Sequence, residues 1–248
     1  QTKMEVHHPH HAPKNWKEYL SEFFMLFMAV TLGFFVENYR EHFIERAREK
    51  EFLSLISKDI QMDISMVDSN LYYRNIRAEI SKEFTKNFTE DEYKKDSGPF
   101  YYNGRRLNVR YLFERTDAGF QLMKNAGGLR LIHNPKIIQA IQHYENSISA
   151  IEKFQEGEMN YLREYSKANA EVFDVKVLMK YAGSNVSNYT SNLIPQGNPP
   201  LLTYDRAKIN VMMAQFFAMD KSNYVVMHFE EKLKKEWQDL IELIETAL

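Results

Sequence analysis

EFFMLFMAVTLGFFVENYREH, residues 22–42, is apolar from Phe23 to Val36 with only Thr31 and Gly33 as relief, and charged at its ends through Glu22 and Glu37. A crossing of the hydrocarbon core takes about 20 residues at about 1.5 Å of rise each, so this run is short by itself. Its flanks lengthen it. Tyr19 and Leu20 extend the apolar segment, Trp16, Tyr19 and Tyr39 stand where interfacial aromatics belong, and Lys14, Lys17 and Arg40 lie beyond them.

A buried helix of a soluble core is the competing reading, since apolar runs of about 10–14 residues are usually that. Such a helix carries an apolar stripe, however, whereas Phe23, Phe24, Met25, Leu26, Phe27, Ala29, Gly33, Phe34, Phe35 and Val36 occupy every side. A removable signal would place small residues before a cleavage site, but Glu37, Asn38, Tyr39 and Arg40 continue the helical pattern instead. The expectation is a retained transmembrane helix over 15–39, preceded by a His-rich polar tail at 1–14 and followed by a helical domain at 40–248. Ala29 and Gly33 form a small-xxx-small pair that lets two helices approach in lipid, which makes a homo-oligomer one of the expected assemblies.

The basic residues on the two sides nearly balance, with Lys3, Lys14 and Lys17 before the span and Arg40, Arg46, Arg48 and Lys50 after it. A short tail held inside with the large domain translocated is the simpler arrangement, because long domains cross largely regardless of charge. This predicts a single-pass inner-membrane protein with its helical domain in the periplasm.

Composition narrows the chemistry. The 248 residues are 44% hydrophobic and 27% charged with a net charge of -2, and Lys and Arg are scattered rather than gathered on one stripe, which argues against nucleic acid as a partner. The absence of cysteine rules out disulfides, thiolate metal sites and Cys nucleophiles. No GxSxG, Walker loop or GxGxxG is present, so no catalytic residue and no cofactor is assigned.

Downstream of the span the pattern is helical. Leu53, Ile56, Ile60, Ile64, Val67 and Leu71 recur at spacings of three and four without Pro or Gly, which predicts one long helix whose charged stretch REHFIERAREKEF is a solvated stalk. Ser97-Gly98-Pro99 breaks it, and Asn103-Gly104 between FYY and RRLNVRY predicts a short β-hairpin near 100–108. A helix of moderate length is expected from about Val109 to Asn125, stopped by Gly127 or Gly128. Asn134 with Pro135 opens another, with Ile138, Ile141, Tyr144, Ile148, Ile151 and Phe154 on its buried stripe and Gly157 as a weak point. The breaker-rich stretch 183–200 reads as a loop, Thr203 as the next cap, and Met219-Asp220 as a kink or turn before a helix striped by Val226, Phe229, Leu233, Trp237, Leu240 and Ile244. The predicted class is all-α: a transmembrane helix continuing into a stalk and a helical bundle.

WKEYLSEFFMLFMAVTLGFFVENYREH with REKEFLSLISKDIQMDI, then DAGFQLMKNAGGLRLIHNPKIIQAIQHYENSI, and finally WQDLIELIE, together resemble a group of uncharacterised single-span membrane proteins of Bacteroidota. The resemblance covers most of the chain and is weakest from 170 to 205. It implies an inner-membrane protein of a Gram-negative envelope and brings no activity, cofactor or catalytic residue with it.

Two clusters remain as candidate sites. His7, His8, His10 and His11 are imidazoles of the kind that bind Zn, Cu or Ni, although Pro9 breaks any fixed geometry and a solvated polar tail accounts for them as well. Phe100, Tyr101 and Tyr102 beside Arg105 and Arg106 have the composition of a protein contact, and equally that of residues covering a bundle end. His133, His143 and His228 lack ligand spacing, and Glu156, Glu158, Glu230 and Glu231 read as exposed charge. The expected function is a membrane-anchored interaction or scaffold module, an accessory subunit of a bacterial envelope complex whose partners are the lipid bilayer and a membrane or envelope protein. The alternative is an extracytoplasmic small-ligand sensory domain acting through a partner.

Overall fold

The computed structural model describes residues 15–181 and 193–248. Every regular element among them is helical: α1 (Trp16–Thr89), α2 (Gly98–Arg106), α3 (Ala118–Asn125), α4 (Pro135–Val172), α5 (Val175–Tyr181) and α6 (Arg206–Glu245), with single 3-10 turns at Glu92–Lys94 and Gly128–Leu131. The chain divides into two units, Gln1–Glu51 and Phe52–Leu248. The His-rich cluster at 7–11 lies outside the described residues.

In the first unit α1 carries a stretch long and apolar enough to cross a membrane, none of which is buried by the protein. Phe23, Phe27, Val30 and Phe34 all stand exposed, as do Phe24, Met25, Leu26, Phe35 and Val36 between them.

In the second unit α1, α4 and α6 form a three-helix bundle. Asp63 meets Tyr144 and Arg74 meets Glu158, so α1 and α4 run parallel; Phe154 meets Phe229 and Tyr165 meets Phe216, so α6 runs against both. The first buried residue of α1 is Phe52, after which Leu53, Ile56, Ile60 and Val67 repeat at helical spacing. These pack with Ile137, Ile141, Ile148 and Ile151 of α4 and Leu233, Trp237 and Ile244 of α6 in one apolar cluster. A second cluster joins Ile80 and Phe84, Phe100 and Tyr101, Tyr165 and Val172, and Met212 and Phe216.

Asn134 caps α4, its side chain accepting from the Lys136 backbone N–H at 3.0 Å with Pro135 in the first turn. Asn134→Ala should cost about 1 kcal/mol, read as a lower midpoint in thermal unfolding of the full chain in detergent. The glycines before it act as expected in part: Gly127 adopts φ 65°, a left-handed conformation that suits glycine, at the end of α3. Gly157 does not interrupt α4, and α6 runs through Met219-Asp220 without a break. The cap of α6 is Asp205, which accepts from Ala207 N at 2.8 Å; Thr203 instead accepts from Asp205 N.

The expected β-hairpin is absent: residues 98–106 form helix α2. Asn103-Gly104 favours a turn because that pair tolerates positive φ, but the reason for glycine here is proximity. A Cβ at Gly104 would sit 2.6 Å from the Phe173 ring and 3.2 Å from that of Phe84. Gly104→Ala should therefore cost about 1–3 kcal/mol through overpacking, whereas Gly157→Ala, with open space around it, should be neutral or stabilising by a few tenths; denaturant titration separates the two.

The helix expected from Val109 to Asn125 is confined to its last eight residues. Segment 109–117 has no regular structure, and side chains of the bundle satisfy part of its backbone. Gln155 accepts from Phe113 N at 3.0 Å and donates to Phe113 O at 3.1 Å, and Asp63 accepts from Thr116 N at 2.7 Å. Segment 193–205 is likewise held by side chains: Asn198 accepts from Ser97 N, and Tyr101 donates to Pro200 O.

Candidate functional site

The two apolar clusters are separated by a polar layer. At spacings that would continue the core stripe of α1, the chain places Asn70, Arg74 and Arg77 where apolar residues belong. Facing them are Glu158 of α4 and Asp220, Asn223 and Glu230 of α6. Arg74, 1% exposed, donates to both oxygens of Glu158 at 2.7 and 2.6 Å and to Asn223 Oδ1 at 3.2 Å. Asn223 returns a bond from Nδ2 to the Arg74 carbonyl. The Nε of Arg74 lies 3.1 Å from Glu230 Oε2 but is misaligned, so that carboxylate oxygen is attracted without a directional hydrogen bond. Asn70 Nδ2 and Asp220 Oδ1 are also buried without a partner among the described residues.

Charge in this layer is finely divided. Burial works against the Arg74 guanidinium, but Glu158 and Glu230 outweigh it and hold its pKa above the ordinary value. Burial pushes Glu230 up to about 7; Arg74 opposes the rise, and the neighbouring Glu158 carboxylate adds to it. One guanidinium serving two carboxylates leaves the second ready to accept a proton near neutrality.

That shift has a measurable sign. The folded chain holds the Glu230 proton more tightly than the unfolded chain does, so its stabilising contribution is complete below about pH 4.5 and is lost as pH rises through about 7. The difference is worth on the order of 3 kcal/mol. Glu230→Gln keeps the shape of the protonated acid and removes this loss. The variant should gain on the parent between pH 5 and pH 8 in urea titrations, while Asp63, whose pKa burial also raises, leaves a residual slope of the same sign in both.

Glu158 and Glu230 are thus not exposed charges, as their sequence neighbourhoods suggest; they converge from two helices on Arg74. The usable signal was positional: Glu230 falls between Val226 and Leu233 on the stripe of α6, and Arg74 continues that of α1.

Arg77 lies one turn along. It is 5% exposed, and its Nη2 donates to Leu107 O at 2.9 Å and Val109 O at 3.1 Å and approaches Met219 Sδ at 3.6 Å. Burial lowers its pKa. Its guanidinium also lies 5.5 Å from the centre of the Tyr111 ring, which stacks on Tyr73. Beside it is a cavity of 20 Å³, space for about one water molecule, walled by Tyr111, Gln155, Glu158 and Met219.

The aromatic set does not form a surface. Phe100 and Tyr101 are fully buried, Phe100 stacked on Phe84 at 4.5 Å and Tyr101 packed on Phe173 at 4.7 Å. Tyr102 remains partly exposed with Arg106 over its ring, and Arg105 donates to Tyr181 O at 3.0 Å. Alternation along a hairpin would have put alternate side chains outside; the helix turns Phe100 and Tyr101 inward together. Among the described residues no group of three or more His, Asp or Glu side chains is placed to hold a metal ion. His143 is exposed and faces Glu236 at 3.0 Å.

Comparison of the chain with protein-family models, curated proteins and solved structures gives no match.

Proposed function

We propose that the chain is a membrane-anchored helical interaction module, an accessory subunit of a bacterial envelope complex. Residues 15–39 lie in the inner membrane, and the bundle works in the periplasm. The observation that carries this reading is the apolar surface from Phe23 to Val36, exposed on every side of α1. A helix with an apolar surface of this kind leaves water for lipid or for another protein. The bundle adds a second uncovered surface: Val211, Phe217, Tyr224 and Val225 share the face of α6 turned away from the core.

The full chain should sediment with membranes, resist extraction by alkaline carbonate, and after mild detergent migrate in a native gel above the size of its own micelle with a stoichiometric protein partner. Recovery as a folded soluble monomer without detergent would refute the anchoring. Protease added to intact spheroplasts should digest the bundle, and digestion only after lysis would reverse the orientation.

A second reading, a small-ligand sensory domain acting through a partner, draws support from one observation, the polar cavity beside Arg77.

A further inference from the structure

We propose that the groove between the last turns of α1 and the middle of α6 binds a zwitterionic α-amino acid, its ammonium group on Asp220 and Ser81 and its carboxylate on Lys86 and Lys221. The inference concerns the second unit alone and stands whether or not the chain docks on a partner.

Space is the first requirement. The groove measures 450 Å³, against 20 Å³ for the cavity beside Arg77, and lies between residues 81–90 of α1 and 220–224 of α6. Unmet polar groups are the second. Ser81 is 3% exposed, and its Oγ has no hydrogen-bond partner among the described residues. Asp220, half-buried on the opposite wall, leaves Oδ1 without a partner as well. A hydroxyl or carboxylate oxygen held away from water in this way costs free energy until something meets it.

No cation of the bundle takes up the Asp220 carboxylate. Arg77 senses its charge but directs its hydrogen bonds to Leu107 O and Val109 O, and Lys221, next in sequence, lies over the rings of Phe217 and Tyr224 at 5.2 and 5.6 Å. The terminal torsion of an Asp side chain is broad, so either oxygen can turn to the groove.

The opposite charge stands at the rim. Lys82 pairs with Glu79 at 2.7 Å, whereas Lys86 and Lys221 line the groove and make no ion pair among the described residues. A metal cation on Asp220 would meet these ammonium groups, and a simple anion on the lysines would meet Asp220 and Glu90. An α-amino acid sets each of its charges against the opposite sign. Its ammonium group has three donors for the oxygens of Asp220 and Ser81, and its carboxylate accepts charge-assisted bonds from Lys86 and Lys221. Tyr224, 40% exposed, walls the remaining space, so recognition falls on the two charged groups and tolerates any uncharged side chain.

The test is calorimetric titration of the full chain in detergent micelles with L-glutamine, whose side chain is polar and uncharged. N-acetyl-L-glutamine, which lacks the ammonium group, and L-glutamine α-amide, which lacks the carboxylate, are the controls. L-Glutamine should saturate one site, and each control should bind about tenfold more weakly or worse, the loss expected for one charged hydrogen-bonding group. Asp220→Asn should abolish binding. Ser81→Ala is the deciding variant, because removing an unmet buried hydroxyl should leave the thermal midpoint of the ligand-free chain unchanged or higher while the affinity falls about tenfold. Lys86→Glu, on the exposed rim, should weaken binding by a similar factor with no shift in that midpoint. Failure of L-glutamine to saturate a site, equal affinity for either control, or unchanged affinity in Ser81→Ala or Lys86→Glu would each overturn the proposal. A lower midpoint in Ser81→Ala would overturn it too, since the hydroxyl would then be satisfied within the fold.

Discussion

Arg74→Met should destabilise the bundle by about 3–5 kcal/mol, the cost of removing one partner from a buried ion pair. Two carboxylates, Glu158 and Glu230, would then face one another across the layer without the guanidinium that both now use. The loss is not the value of the ion pairs. It is the penalty of leaving charge in a place from which water is excluded, and that distinction can be measured. In Arg74→Met with Glu158→Gln and Glu230→Gln, no member of this ion-pair set is left charged without its partner, and most of the lost stability should return. Urea titrations of the parent, single and triple variants in one detergent supply the comparison. A single variant within 1 kcal/mol of the parent would mean that solvent enters the layer and that Arg74 is not sealed between the two apolar clusters. A triple variant as unstable as the single one would instead make the shape of the guanidinium, packed among three helices, the dominant contribution.

The same layer marks the boundary of what was legible in the sequence. Helices α1, α4 and α6 follow from apolar residues three and four apart, and the cap at Asn134 follows from Asn-Pro, because both signals are local. The layer was written in the same periodicity, as charged residues at stripe positions, but its meaning depends on partners 84 and 149 residues away. No local rule distinguishes Glu230, buried, from Glu231, exposed. Asn103-Gly104 shows the converse error: the pair has a strong local preference for a turn, and a distant ring, Phe173, decides the outcome by needing room. Segment 109–117 departs from its local preference for a related reason. Val109, Tyr111 and Phe113 are compatible with helix or with irregular chain, and Gln155 and Asp63, from two other helices, supply the backbone partners that favour the second.

Met28→Lys combined with Leu32→Lys should abolish stable membrane association of the full chain. Each lysine near the centre of a span costs about 2.5–3.5 kcal/mol on insertion scales, and placing both on one face, four residues apart, prevents a single snorkelling defect at one end from relieving them. The apolar run from Phe23 to Val36 is short for a span, so it has little surplus with which to offset a penalty of that size. The two positions are 51% and 56% exposed and belong to neither core cluster, so the substitutions leave the packing of those clusters untouched. The variant should move from the carbonate-resistant pellet to the soluble fraction while keeping the parent's helical circular dichroism and its thermal midpoint for the bundle. Retention in the pellet with that signature would mean that another protein, rather than lipid, covers Phe23 to Val36, since a protein groove can accommodate one charged face of a helix and the hydrocarbon core cannot.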